Sequence, residues 1–547
     1  MNVSQPLLSV VIPSSGDAGA LVRCLESLAA QDVRHPLEVV VVLDGVSPPR
    51  GTDLDRLMER TNWPWRIGWI EQRERQGPGA ARNRGVEDAS GDYLLFLDDD
   101  MVASPTLARE HLALLEREDV AVLGAIDTDC LGYGGAYRYF VESFWGERHH
   151  RLTRDVAEVH FDDCFSGNLS LRTATFRRLN GFDATLRRGE DLELGIRLER
   201  RGVPLRYAPA AVANQRYRKS PAQSIRDAGA NGQTAARLWR ENPDVRHRLC
   251  FAVASHGRDN ARWMRAWALR SGWRLEDHAE WLAELAPSRL TKRVAWFMHD
   301  VAHARGLREE LGDDDLWTAL SDGTLVLCYH RFTRGVGSEF AVSVQRFAKQ
   351  LEYLGRRGYR FLTASEWARA WHAAEPPRGA TAVVTIDDAH DSVFELAAPI
   401  LERLGVRPTL YVVHGLVGSP GHLSAPRLRE LAAAGWEIGS HTTTHPVLEQ
   451  LAEDAQRAEI CISRGALAET LGIEPPATFA YPYGSYNDSA VRLAREAGYR
   501  AAFTVDRGYA YLHTPAWEVP RFVVDGRWPE AVFRLAFVHG VRGFGLP

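Results

Sequence analysis

The 547-residue chain has only six cysteines, Cys24, Cys130, Cys164, Cys250, Cys328 and Cys461, and no two of them form a CxxC pair. This spacing argues against a disulfide framework and against a thiolate zinc site, so the cysteines read as reduced. Long hydrophobic runs are missing too. LLSVVI at 7–12 and VVVVL at 39–43 fall far short of the roughly 20 apolar residues that cross a bilayer. The opening residues, MNVSQPLLSVVIP, lack a basic segment and lead directly into a strand-like run, so no secretory signal and a cytoplasmic location are expected. Charge of one sign is not in excess: 66 Lys and Arg face 71 Asp and Glu, for a net −5, which excludes the global positive field of a nucleic-acid binder. No tandem repeat or long low-complexity tract is present, and 45% hydrophobic with 25% charged residues describes a globular chain.

At roughly 100 to 200 residues per domain, this length predicts three or more units, or two large ones with a connector. From Leu7 to about residue 235, short β-branched runs alternate with helical patterns, as in a mostly parallel sheet covered by helices. Residues 1–235 are therefore expected to form one α/β domain. SVVIP, LEVVVVLDG and DYLLFLDDD are its clearest strands, which puts Asp44 and Asp98 to Asp100 at strand carboxyl ends, where open α/β sheets bind ligands. Residues 236–320 change to Arg, Trp, Ala and Leu in helical spacing and read as a helical connector. Within it Trp263 and Trp267, with Arg262, Arg265 and Arg270, predict either a linker helix packed by its Trp stripe or a helix lying on an anionic membrane surface. Residues 321–547 resume the α/β alternation, with strands at 382–387, 409–413, 437–441, 478–482 and 501–506. This repetition suits a (β/α) barrel or a distorted form of one.

Two constellations carry chemistry. Asp98 and Asp100, two apart at a strand end, can hold Mg²⁺ or Mn²⁺ to neutralise a diphosphate leaving group. Asp387 and Asp388 close one strand of the second series, and His441 and His445 close another. Two imidazoles and a carboxylate can share a zinc ion and leave room for water.

The first region resembles the GT-A fold of inverting family 2 glycosyltransferases. The resemblance lies in SVVIPSSGDAGALVRCLESLAAQ, VVVVLDG, GPGAARNRG, DDD and SGNLSLRTATFRRLNGFDATLRRGED, five elements in family order over about residues 7–220. It implies that Asp44 contacts the base of a UDP-sugar, Asp98 the ribose region, and Asp100 the metal and diphosphate. Arg82 and Asn83 would position phosphates or the loop, Asp191 would deprotonate the acceptor, and Glu190 would sit beside it. Two departures stand out. LDG replaces the commoner double Asp before Gly, and no Gln-x-x-Arg-Trp element is found, residues 233–239 reading QTAARLW, so a single transfer is expected rather than polymerisation.

The last region, about 324–530, resembles the NodB-like polysaccharide deacetylase domain, carbohydrate esterase family 4, in TIDDAHDS, SHTTTH and FAYPYGSYN, with YHRF at 329–332 and EVPRF near 521. The resemblance implies that Asp388, His441 and His445 bind Zn²⁺ or another divalent metal, that Asp387 is the general base, and that Tyr483 or the nearby backbone donates to the oxyanion. Here Ala389 stands where the family has Gly, and the third motif lacks the Arg that orients the base. His539 in LAFVH matches the family's general acid in letters but lies in a predicted helix, and His330 reads as a buried or supporting histidine. The two resemblances imply an enzyme that transfers an N-acetylhexosamine from a UDP-sugar to a small-molecule or lipid-linked acceptor and removes its acetyl group. The alternative is a transferase whose C-terminal domain binds sugar without hydrolysing it.

Overall fold

The computed structural model describes residues 7–33, 36–154, 159–242, 245–246, 249, 268–269, 274–314, 316–317, 320, 323–373, 375, 377–512 and 514–536. The chain divides into two compact units, Met1–Leu238 with Gly272–Glu310, and Trp239–Ser271 with Leu311–Pro547.

The first unit is built on strands β1 (Leu8–Ser14), β2 (Leu37–Asp44), β3 (Arg66–Gln72), β4 (Tyr93–Leu97), β5 (Met101–Ala103), β6 (Ala121–Cys130), β7 (Asn168–Arg172) and β8 (Leu205–Tyr217). They form one sheet in the order β3-β2-β1-β4-β7-β6-β8-β5. The first four strands in that order are parallel, and β7 then pairs antiparallel with both β4 and β6. Every residue of LEVVVVLD is buried, as a central parallel strand covered on both faces requires. The helix Ala18–Ala29 is started by Asp17, whose carboxylate accepts the Ala20 N–H at 3.0 Å. Sheet order reverses beside β1 and β4, the switch point at which ligands bind, and Asp44 and Asp98 to Asp100 stand at that carboxyl edge.

The boundary expected at 235 falls inside the helix Pro221–Glu241. That helix packs on Arg289–Leu311 through glycines: a Cβ at Gly306 would lie 1.9 Å from the Gly229 carbonyl oxygen, and one at Gly232 would lie 2.0 Å from that of His303. Ser224 Oγ and His299 Nε2, 2.8 Å apart, join the same pair of helices. Part of the expected connector is thus integral to the first unit. Trp263, Trp267, Arg262, Arg265 and Arg270 lie outside the described residues.

The second unit contains β9 (Thr324–Tyr329), β10 (Arg331–Thr333), β11 (Ala341–Ser343), β12 (Arg360–Leu362), β13 (Thr381–Ile386), β14 (Thr409–Val412), β15 (Glu437–Ser440), β16 (Thr478–Ala480), β17 (Ala501–Phe503) and β18 (Phe522–Val523). Its main sheet runs β17-β16-β15-β14-β13-β9-β18, with β12 on the amino half of β13, and all of its pairings are parallel. The curled sheet is a half-barrel, the distorted barrel that the sequence predicts. Leu327, Val384, Ile386, Leu410 and Val412 are buried in its core. Among the described residues, no helix of either unit is long and apolar enough to cross a membrane.

Gly306→Val should force the two glycine-contacting helices apart and destabilise the first unit by about 1–3 kcal/mol, the usual cost of overpacking. Chemical denaturation of the full chain should then show the transition of this unit moved to lower denaturant and that of the second unit unchanged.

Two candidate active sites

In the first unit one buried guanidinium organises the site. Arg82, 3% exposed on the helix Pro78–Asp88, donates to Asp98 Oδ1 at 2.6 Å and to Glu190 Oε1 at 2.8 Å. The burial of Arg82 is tolerable because carboxylates meet both of its terminal nitrogens. Arg82 thus holds carboxylates in place. Asn83 pairs with both the N–H and the carbonyl of Phe182, at 2.8 Å each, and fixes the turn that precedes the Gly-Glu-Asp element. Asp44 accepts the backbone N–H groups of Gln76 and Gly77 at 2.7 and 2.9 Å, which ties the end of β2 to the loop that launches the Arg82 helix.

The three acids after β4 crowd one another. Asp99, which the sequence reading left without a role, accepts from the Ser14 hydroxyl, and its pKa is raised to about 6 by burial. Asp100 is raised to about 8, first by burial and then by Asp98 and Asp99, with Lys219 and Gln215 opposing. Such a cluster binds a cation readily, because the cation removes the mutual repulsion. Asp191 accepts the Leu192 N–H at 2.9 Å and the Ser166 N–H at 3.4 Å. Burial, then the neighbouring Glu190, raise its pKa to about 6 against the pull of Arg82. A carboxylate with that pKa is suited to take a proton near neutral pH.

The second site lies at the carboxyl ends of the parallel strands of the half-barrel. Asp387 and Asp388 follow β13, His441 follows β15, His330 follows β9, and Tyr483 sits in the loop after β16. All of them line one cavity of about 770 Å³. Asp388 Oδ1 is 3.5 Å from His445 Nε2 and 3.8 Å from His441 Nε2, and the two imidazole nitrogens are 3.2 Å apart. Ligands 2.0–2.1 Å from a tetrahedral zinc stand about 3.3 Å from one another, so these residues fit the ion. His441 Nδ1 lies 2.7 Å from the Ala480 carbonyl, a partner that fixes Nδ1 as the donor and turns the Nε2 lone pair into the cluster. Burial lowers the His441 pKa despite Asp387 and Asp388, which favours the neutral ligand form.

The backbone here is strained. Asp388, Ala389, Thr442, His445 and Tyr483 all have φ between 51° and 69°, a region non-glycine residues rarely adopt, and surrounding bonds hold them there. Ala389 occupies, at φ 51°, the position where the family has Gly. The His441 to His445 loop is pinned by Glu459, which accepts the N–H groups of Thr443 and Thr444 at 2.9 and 2.8 Å and the Thr444 hydroxyl at 2.7 Å. Glu459 gave no signal in the sequence. It lies on the π-helical turn Ala458–Ile462, an irregularity with no composition cue. Tyr483 is 65% exposed, its ring centroid 4.7 Å from that of His445.

The arginine absent from the third motif has a counterpart elsewhere. Arg521, fully buried one residue before β18, donates from its two terminal nitrogens to the two oxygens of Asp387 at 2.8 Å each, and from Nε to the Thr504 carbonyl at 2.8 Å. Burial opposes the charge on Asp387, but Arg521, then His441, outweigh it and hold the carboxyl well below the usual range. The EVPRF stretch contained this residue, yet only the fold shows that it reaches Asp387 across β9 and β13.

Among the described residues, two groups of three ligand-type side chains lie close enough for an ion, and both are in this unit: Asp388, His441 and His445, and Cys328, His330 and Asp387. The second group is unsuited to one. Arg521 already neutralises Asp387, and burial pushes the Cys328 thiol far above its ordinary pKa despite the opposing pull of Arg521. Among the described residues no three-residue group of this kind includes Asp98 or Asp100, so a metal at the first site would complete its ligands from water or substrate. His539 lies outside the described residues.

Two outcomes follow from these geometries. At saturating Mn²⁺, transfer should fall about tenfold per pH unit below pH 6 as Asp191 takes up its proton, and a rate flat down to pH 4.5 would exclude it as the base. Arg521→Met should cost about 3–5 kcal/mol by leaving a buried carboxylate unpaired. The double variant Arg521→Met, Asp387→Asn should regain most of that stability without regaining any hydrolysis.

Comparisons with known proteins find relatives for both units. A model described as Glycosyl transferase family 2 matches residues 9–178, and one described as Polysaccharide deacetylase matches residues 374–502. Validoxylamine A glucosyltransferase of Streptomyces hygroscopicus is 30% identical over 332 residues, covering 53% of this chain and 76% of that protein. Poly-β-1,6-N-acetyl-D-glucosamine N-deacetylase of Staphylococcus aureus is 23% identical over 202 residues, covering 34% of this chain and 68% of that protein. A solved structure of the Streptococcus pyogenes deacetylase PplD with acetate is 27% identical, with a TM-score of 0.36, over 38% of this chain and 95% of that one. The two family models establish a chain that belongs to two families at once, joining an N-terminal family 2 glycosyltransferase domain to a C-terminal polysaccharide deacetylase domain.

Proposed function

We propose that the chain transfers an N-acetylhexosamine, N-acetylglucosamine from UDP-N-acetylglucosamine, with inversion to a small-molecule or lipid-linked acceptor, and hydrolyses the N-acetyl group to leave the free amino sugar. The observation that carries this reading is the intact hydrolytic set, Asp388, His441 and His445 with Asp387 held beside them by Arg521. A domain that only bound sugar would not need a buried, ionised carboxylate next to a ligand triad. The donor follows from that set, because an N-deacetylase requires an N-acetyl group. The name of the Staphylococcus aureus relative supports this choice, and that of the Streptomyces relative supports a single-compound acceptor.

In the transferase domain Asp44 contacts the base and Asp98 the ribose region, Asp100 would hold a Mn²⁺ or Mg²⁺ ion that neutralises the diphosphate's charge, Arg82 keeps Asp98 and Glu190 in register, and Asp191 takes the acceptor proton. In the deacetylase domain Asp388, His441 and His445 would hold Zn²⁺ or another divalent ion. When bound, the ion polarises the acetamide carbonyl and acidifies a water. Asp387, kept ionised and aimed by Arg521, takes the proton of the attacking water. Tyr483, or the backbone beside it, faces the developing oxyanion.

Incubation with a panel of UDP-sugars and acceptors, followed by mass spectrometry, tests the reading. The wild type should yield the acceptor plus a hexosamine. Asp387→Asn should yield the acceptor plus an N-acetylhexosamine, heavier by one acetyl group, and Asp191→Asn should yield neither. An N-acetylated product from the zinc-loaded wild type would instead support a deacetylase-like domain that only binds.

A further inference from the structure

Resting on the deacetylase reading above, we propose that the deacetylase cavity contains an anion subsite, built from Arg331, His390 and His422, that takes a phosphoryl group attached to the N-acetylhexosamine. The substrate class of this domain is then a glycosyl phosphate or diphosphate, whether the phosphate belongs to a nucleotide sugar or to the acceptor, and not a neutral glycan. The argument starts from a charge left over. Asp387 has both oxygens on Arg521, and Asp388 faces His441 and His445 as a metal ligand. Arg331 lines the same cavity, and its guanidinium has no hydrogen bond or ion pair among the described residues. With both aspartates committed to other cations, Arg331 leaves this wall of the cavity positive.

Backbone bonds bring two imidazoles to that guanidinium. Phe332, next to Arg331 in β10, donates its N–H to Ser392 Oγ at 3.0 Å, and Ser392 Oγ lies 2.9 Å from His390 Nδ1. The residues after Asp388 pair with those around His422: the Leu423 N–H donates to the Ala389 carbonyl and the Asp391 N–H to the Gly421 carbonyl, each at 2.9 Å. His390 and His422 therefore stand opposite one another, their ring centroids 6.2 Å apart. The Ser392 N–H also donates to His390 Nδ1, at 3.1 Å. A backbone N–H can only donate, so Nδ1 is the acceptor and Nε2 carries the hydrogen, which makes neutral His390 an N–H donor at Nε2. His422 lines the cavity, and its Nδ1 is buried with no hydrogen-bond partner among the described residues. Burial, then the positive charges of Arg331 and His422, lower the His390 pKa, so the three basic groups stand within electrostatic reach of one another. The neighbouring acids are engaged, Asp391 with Arg427 at 3.4 Å and Asp388 with the two metal-ligand histidines.

A guanidinium fork beside two imidazole edges is a donor set for an oxyanion, since arginine supplies paired N–H groups in one plane and each imidazole adds another. Phosphate suits it better than carboxylate. Donors carried by three separate segments match oxygens that point in tetrahedral directions, whereas a planar carboxylate offers two oxygens in one plane. A bound anion also removes the repulsion among the three basic groups. The cavity, of about 770 Å³, has room for a hexosamine and its phosphate beside the metal ligands. The subsite acts on affinity and not on the bond that breaks, so its signature is KM.

The test measures acetate release by the zinc-loaded full chain from methyl N-acetyl-β-D-glucosaminide, N-acetylglucosamine 1-phosphate and UDP-N-acetylglucosamine. At least one phosphorylated sugar should exceed the neutral glycoside about 10-fold or more in kcat/KM at low salt. A preference shared by both assigns the subsite to the phosphoryl group alone, and one confined to the UDP-sugar assigns it to the diphosphate of the donor. Arg331→Gln should raise KM for the preferred sugar about 10-fold, keep kcat within a factor of about three, and leave the neutral glycoside unchanged; His422→Ala should shift KM in the same direction by less. Salt at about 0.5 M should erode the preference in the wild type and not in Arg331→Gln. Equal kcat/KM on all three substrates would overturn the subsite, as would a phosphate preference that Arg331→Gln leaves intact, since the metal alone would then account for it. A zinc-loaded wild type that releases acetate from none of the three would instead overturn the deacetylase reading itself.

Discussion

The second unit depends on one buried ion pair. Asp387 and Arg521 are both enclosed, and neither would survive burial without the other, since an unpaired charge in that position costs several kcal/mol. The pair does more than satisfy two charges. It fixes the rotamer of Asp387 through two parallel hydrogen bonds, keeps the carboxylate ionised, and places a fixed cation where a metal would otherwise compete for the same oxygens. The neighbouring carboxylate, Asp388, is left to the two histidines. One strand end thus supplies two adjacent acids with different tasks, separated by which cation each faces.

The first unit solves a related problem in a different way. Arg82 is shared between Asp98 and Glu190 and joins the end of β4 to the start of the helix Glu190–Arg200. Asp191, one residue beyond Glu190, has no ion-pair partner among the described residues, and burial, then Glu190, raise its pKa to about 6. Asp100 is raised further, to about 8, by its acidic neighbours. In both units an arginine stabilises one member of an adjacent acidic pair, Glu190 in the first and Asp387 in the second.

The candidate site side chains were legible in the sequence because each stands at the end of an apolar strand: Asp98 to Asp100 after YLLFL, Asp387 and Asp388 after TAVVTI, and His441 after EIGS. The groups that hold them were less so. Arg521 is 134 residues from Asp387, and nothing in EVPRF tells which carboxylate it meets. Glu459 reaches the histidine loop from a π-helical turn with no recognisable pattern. Arg82 looked like a ligand-facing residue, and only its burial between two acids shows it as a brace. The end of the first unit was obscured because Arg289–Leu311 reads as a connector helix, whereas glycines let it pack closely on Pro221–Glu241.

The most direct test of this account is X-ray absorption at the zinc edge of the loaded full chain, since the Arg521–Asp387 pair decides which of two adjacent ligand groups takes the ion. Coordination by Asp388, His441 and His445 predicts nitrogen and oxygen scatterers at about 2.0–2.2 Å and the outer pattern of two imidazoles. A sulfur scatterer at about 2.3 Å would place the ion on Cys328 with His330 and Asp387, and would contradict the division of labour between the two aspartates.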